Sequence, residues 1–319
     1  TPGEAIKASR EYLLVCGVGI LFIVGYNVIN SILSGMGDAT TPFLFVLVAC
    51  FINVVLDVIL VRYARLGALG AAIATTAAQG GSFLFALIYL RIKGIGFTFG
   101  REDIRISGRE AKKLFSIGAP VAVQNMLVGV SFLFITAIIN QMGLIASASV
   151  GVVEKLITFM FVPVTAFATA VGAAASQNLG AGQEKRAKKC MWCGIGMALV
   201  PAILITVFCQ FEAEMLTGIL AKSPEVVKMS ARYLESYIFD ILMVSFVFCM
   251  NGYFNSLNKS WFSLLHSLLA TFGVRIPLSF VLSRMVTADL YLIGFASPAS
   301  TLVSLIICVP FLWKLNKKI

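Results

Sequence analysis

The sequence predicts an all-α polytopic membrane protein, and three observations carry that prediction. Apolar residues make up 59% of the 319 and charged residues only 13%, with a mean hydropathy of +0.93, well above soluble domains. The apolar residues gather in runs of about 20 or more, the length a helix needs to cross a bilayer. Most Lys and Arg fall in the short polar breaks between those runs.

Nine spans follow in order, at 11–34, 43–63, 66–91, 114–140, 145–178, 190–211, 233–257, 261–284 and 290–313. The first closes at the turn "GMGDATTP". The second contains "FINVVLDVILVRY" (51–63), and the third opens "LGALGAAIATTAAQGG", whose small residues predict close helix packing or a cavity wall. The fifth is longer than a bilayer requires, so its last turns around "SQNLGAG" are expected in headgroups or water. Pro163 in the fifth and Pro277 in the eighth each free a carbonyl, giving either a hinge or a static kink.

Charge sets orientation. The break at 91–113 holds seven Lys or Arg, "QEKRAKK" four, "NSLNKS" one and the tail "WKLNKKI" three, all on one side if the spans alternate. Positive loops stay cytoplasmic, which places the C-terminus there in a cell inner (plasma) membrane. The net charge of +10 then reads as topology and contact with anionic lipid, and no nucleic-acid partner is expected.

A repeat is legible without a gap: 30–61 lies over 251–282, with Asn30, Leu44, Ala49 and Phe51 meeting Asn251, Leu265, Ala270 and Phe272. Spans one to three thus repeat spans seven to nine in the same orientation, and spans four to six have no counterpart. Three further spans before Thr1 are therefore expected, completing two lobes of six. The polar, glycine-broken stretch 91–113 is the expected cytoplasmic linker, with an amphipathic piece at 108–115 on the membrane surface. It separates 1–90, the C-terminal half of the N-lobe, from 114–319, the C-lobe.

Polar residues inside spans are the functional candidates. Asn53 and Asp57, four apart, share one helix face about 6 Å from each other along the axis. Thr75 and Gln79 share a face of the next helix at about the same depth. A carboxylate with an amide oxygen one turn away suits a small hard cation or a proton. The alternative is structural, with Asp57 pairing the intramembrane Arg275. The repeat sets Asn53 and Asp57 over Val274 and Leu278, so the polar pair belongs to one lobe only. The C-lobe has its own membrane acids, Glu154 and Asp240, and these could draw a cationic substrate into a cavity. Lys155, about 100° around the helix from Glu154, is free to snorkel.

Other chemistry has little support. "CMWC" (190–193) has redox or metal spacing but no second pair, His266 is alone, and no HExxH or adequate acid pair marks an intramembrane enzyme. No catalytic residue, cofactor or metal beyond a possible Na⁺ is expected.

Taken together, "GMGDATTP", "FINVVLDVILV", "LGALGAAIATTAAQ", "GAPVAVQN", "SQNLGAG" and "RIPLSF" resemble the multidrug and toxic compound extrusion (MATE) exporters, from about helix four of that family's twelve to its end. The resemblance implies a two-lobed 6+6 transporter fold with parallel repeats. It also implies a monomer when full length, exporting small organic cations in exchange for Na⁺ or H⁺ by alternating access. The family's N-lobe cation site falls on Asn53, Asp57 and Thr75, together with an Asp from a first helix that this chain does not include. Some members carry C-lobe acids in the helices equivalent to this chain's fourth and seventh; here the fourth offers Gln124 and Asn125 and no acid. Gln79, Gln124, Glu154 and Asp240 are the substrate-cavity candidates. A lipid-linked saccharide flippase of the same superfamily is the alternative function, and it would want a cavity richer in Arg and Lys.

Overall fold

The computed structural model describes residues 3–93, 107–285 and 289–316, and those residues are helical apart from short turns. Six helices or helix runs are long and apolar enough to span a membrane. Three further pairs reach span length together, bent by 53°, 42° and 46°. Counting each bent pair as one span gives nine among the described residues, in the order the sequence predicts. The centre of the expected linker (94–106) and Lys317 and Lys318 of the basic tail lie outside the described residues. Chain contacts divide the molecule into two compact units, Thr1–Arg105 and Ile106–Ile319.

The N-terminal unit holds α1 (Gly3–Val18), α2 (Ile20–Gly35), α3 (Thr40–Asp57) and α4 (Gly67–Lys93). The first span bends between α1 and α2 at Gly19, where a Cβ would run into the side chain of Thr76 on α4, so any larger residue there would make Thr76 shift. Asp38 starts α3: its Oδ1 accepts from the N–H groups of Thr40 (3.1 Å) and Thr41 (3.0 Å), and its Oδ2 from the Thr41 hydroxyl (2.6 Å). These bonds satisfy orphan donors of the first turn. They also hold the Asp38 carboxyl below its ordinary value, the Thr41 hydroxyl contributing most. Beyond Asp57 the helix widens into a π turn, Val58–Tyr63, and the chain reverses through left-handed Arg65 and Gly67. The core gathers Tyr26, Ile29, Leu33, Phe45 and Ala86, with Phe45 edge-on to Phe85 and Tyr89. Ser82 donates to the Phe45 carbonyl at 2.8 Å and ties α4 to α3.

The C-terminal unit opens with α5 (Gly108–Asn140). The piece expected to lie on the membrane surface, 108–115, is instead the first turns of α5, continuous with the span: Gly108 follows extended Ser107, and nothing breaks the helix afterwards. α6 (Leu144–Met160) and α7 (Val162–Gly180) meet in a bend at Phe161, with Pro163 in the first turn of α7, where its missing N–H costs no bond. α8 (Glu184–Leu220) is longer than the 190–211 predicted, and it kinks at Glu212. α9 (Pro224–Tyr237) and α10 (Asp240–Ser256) form the third bent pair. α11 (Ser260–Ala270) runs through a second π turn, Thr271–Arg275, into α12 (Ile276–Ser283). Pro277 has no N–H for the Gly273 carbonyl, and one residue earlier Ile276 N–H already reaches back to Thr271 O. The short α13 (Leu290–Gly294) leads into α14 (Ala296–Asn316).

Two apolar clusters hold this unit together. One joins Ile135, Val153, Cys209, Leu234 and Ile241. The other joins Met191, Met250, Tyr253, Phe254 and Cys308, beside the stacked pair Phe262 and Phe311 (3.6 Å between centroids). Lipid is as apolar as these side chains, so helix association rests on close packing and polar ties more than on burial itself. α7 and α10 illustrate it: Gly172 and Gly252 face each other in near backbone contact. The outer faces suit acyl chains, with Leu21, Phe51 and Phe211 each more than 70% exposed.

Candidate functional site

In the N-terminal unit the antiparallel hairpin of α3 and α4 brings Asn53, Asp57 and Thr75 together. Asn53 sits between the other two. In the amide orientation that matches donors to acceptors, its nitrogen donates to Asp57 Oδ2 at 3.3 Å and its oxygen accepts from the Thr75 N–H at 3.3 Å. In the opposite orientation Nδ2 faces Thr75 Oγ1 at 3.5 Å. Thr75 Oγ1 donates to the Ala71 carbonyl at 2.9 Å.

Asp57 is half-buried, and its Oδ1 is sealed from solvent with no hydrogen bond. It enters neither of the two ion pairs found among the described residues. One turn further along α4, Gln79 likewise has a sealed, unbonded Oε1. A carboxylate oxygen left open in an apolar span attracts a proton or a small cation, because the ionised form otherwise lacks compensation. The π turn that begins at Val58 leaves Asp57 at the junction of two helical registers, a setting often found at functional sites.

The C-terminal unit places its two acids differently. Asp240 is only 4% exposed; its Oδ2 accepts from Ser297 Oγ at 2.8 Å, and the Thr301 hydroxyl lies beside the same carboxyl. Glu154 is half-buried on α6. Arg275, Asp57's suggested partner in the sequence reading, donates to the Tyr237 hydroxyl at 3.0 Å and lies over the Phe132 ring at 4.5 Å. Gln124 donates to Ser267 at 2.7 Å and ties α5 to α11. His266, wholly buried, is held between Asn251 Oδ1 (2.8 Å) and Ser304 Oγ (3.2 Å). Among the described residues no three His, Cys, Asp or Glu gather as a metal centre. All seven cysteines are free thiols.

Sequence reasoning missed the surroundings of Arg275, namely Tyr237, Ser297 and Phe132. A lone Arg in "FGVRIPL" signals that a partner must exist, but its partners come from two other helices, α9 and α5, with Ser297 of α14 one hydroxyl beyond.

Known proteins agree with this architecture. A profile of the MatE family matches residues 1–59 and 120–281. YpnP, a probable multidrug resistance protein of Bacillus subtilis (strain 168), is 29% identical over 284 residues, which are 89% of this chain. An FAD transporter of Shewanella oneidensis is 25% identical over 239 residues, 72% of this chain. The chain spans 63% of the length of YpnP and 52% of the FAD transporter. The crystal structure of a MATE protein in complex with MaL6 superposes with a TM-score of 0.92 at 20% identity, over 99% of this chain and 71% of that one. Matched by the family profile over most of its length, and carrying that fold, the chain belongs to the MatE family.

Proposed function

We propose that the protein is a secondary active exporter of the plasma membrane that moves organic cations or drugs outward in exchange for Na⁺ or H⁺. The coupling ion binds at Asp57, Asn53 and Thr75. The observation that carries the reading is the Asp57 carboxylate, held on one oxygen by Asn53 and left buried without a hydrogen bond on the other inside an apolar span. The names of relatives such as YpnP support export.

In this mechanism the empty site leaves a membrane carboxylate uncompensated, and binding a cation or a proton removes that penalty. The bound and empty forms then differ in which helix arrangement they stabilise, which is the differential affinity that alternating access requires. Asn53 positions Oδ2 and leaves Oδ1 to receive the ion. Thr75 fixes Asn53 from the neighbouring helix. The chain acts as a monomer with its C-terminus in the cytoplasm.

Ethidium efflux from vesicles, driven by an imposed Na⁺ or pH gradient, tests the reading. One of the two gradients drives efflux, and Asp57→Asn abolishes it. Unchanged efflux in that variant would reject the site.

A further inference from the structure

Arg275 occupies a place the proposed coupling mechanism does not use. It ends the π turn in the middle of a span and is 8% exposed. No carboxylate lies within ion-pair distance of it among the described residues. A guanidinium buried without compensation is costly in a membrane, so its surroundings must answer it.

Those surroundings are a series of polar groups drawn from several helices. Nη2 of Arg275 donates to the Tyr237 hydroxyl at 3.0 Å, that hydroxyl neighbours Ser297, and Ser297 Oγ donates to Asp240 Oδ2 at 2.8 Å. Phe132 covers the guanidinium face at 4.5 Å. The groups acting on Arg275 through space are Tyr237, Asp240, Tyr233 and Glu154. Lys155, beside Glu154, is exposed. Within the unit, then, a fixed positive charge is linked through two hydroxyls to a buried acid.

The repeat gives this arrangement its contrast. Asn53 and Asp57 lie over Val274 and Leu278, while Arg275 lies over Val54. Where one repeat carries an amide and an open carboxylate, the other carries a guanidinium. An acid in a span needs compensation; among the described residues Asp57 forms no ion pair, and Asp240 reaches a positive charge only through the Ser297 and Tyr237 hydroxyls.

We propose that Arg275 is a tethered cation: relayed through Tyr237 and Ser297, its guanidinium neutralises Asp240 and keeps the C-terminal unit from taking an exchangeable cation. Cation binding is thereby left to the Asp57 cluster. The inference rests on the exporter reading only in taking an alkali cation as the competing ligand, and its test measures binding rather than transport.

The test is ²²Na⁺ binding to the purified full chain in neutral-lipid nanodiscs. Asp240→Asn leaves the wild-type isotherm unchanged. Arg275→Met gains about one Na⁺ per chain, as a carboxylate freed of its counter-charge offers hard oxygen ligands. The double variant Arg275→Met/Asp240→Asn loses that gain. Loss of Na⁺ binding in Asp240→Asn alone would overturn the proposal, as would an Arg275→Met protein that elutes as a folded monomer and gains nothing. The Asp240→Asn comparison needs no change at Arg275, so it decides even if Arg275→Met misfolds. Failure of the exporter reading would show separately, as absent gradient-driven efflux with this binding pattern intact.

Discussion

Replacing Gly252 by Ala adds one methyl group where α10 meets the backbone of α7. A Cβ there would lie 2.7 Å from the Ala168 carbonyl oxygen and 3.2 Å from Gly172 N. Both are backbone atoms of α7, so neither can rotate away, and the helices must part toward the 3.4 Å at which ordinary contact begins. Overpacking of this kind costs about 1–3 kcal/mol. Ala also favours the helix over Gly by about 1 kcal/mol, which a control removes. Gly196 lies on α8 with nothing within 4 Å of its built Cβ, so Gly196→Ala reports helix propensity alone. Thermal unfolding in detergent, followed by tryptophan fluorescence, should place Gly252→Ala below Gly196→Ala by about 1–3 kcal/mol. Gly172→Ala should stay close to the control, because its Cβ meets Gly252 at an ordinary 3.7 Å. A Gly252→Ala protein as stable as the control would refute the claim that this crossing is in backbone contact.

Asp38 predicts a pH dependence. Its folded value is lowered from 3.8, so the stability it contributes is complete at neutral pH, above the unfolded value, and is lost as pH falls through the lowered value. Protection of the Thr40 and Thr41 amides, their exchange relative to a free amide at the same pH, should fall only in that acid range. In Asp38→Ala the same amides should show low protection at every pH. His266→Phe keeps an aromatic ring but leaves Asn251 and Ser304 unpaired in a sealed interior. The expected loss is about 1–3 kcal/mol, and a double-mutant cycle with Asn251→Leu should return a coupling energy of at least 0.5 kcal/mol, roughly. A coupling of zero would show that the pair does not interact.

Hydropathy reports how long a helix must be to cross lipid, and for that reason the nine spans among the described residues, each bent pair counted as one, are legible in the sequence. It is blind to one-residue breaks flanked by apolar residues. The bends at Gly19 and Phe161, and the kink at Glu212, therefore emerge only from the backbone. The same blindness hides the π turn after Asp57, since a change of helical register leaves composition untouched.

Asn53, Asp57 and Thr75 are legible together because a hairpin of two consecutive helices makes sequence distance a fair guide to depth. Arg275, Tyr237 and Ser297 are not, because they meet across helices far apart in the chain. Gln124 shows the converse. An amide in a span suggests a cavity wall, yet its hydrogen bond goes to Ser267 and links two helices.

In this proposal the charge on Asp57 couples an ion gradient to export. Substrate exchange at equal concentrations, measured beside gradient-driven accumulation in the same vesicles, tests it most directly, since exchange requires substrate binding and turnover but no coupling. Asp57→Asn should retain exchange and lose accumulation, while Asp57→Glu should keep part of both. Accumulation undiminished in Asp57→Asn would contradict it.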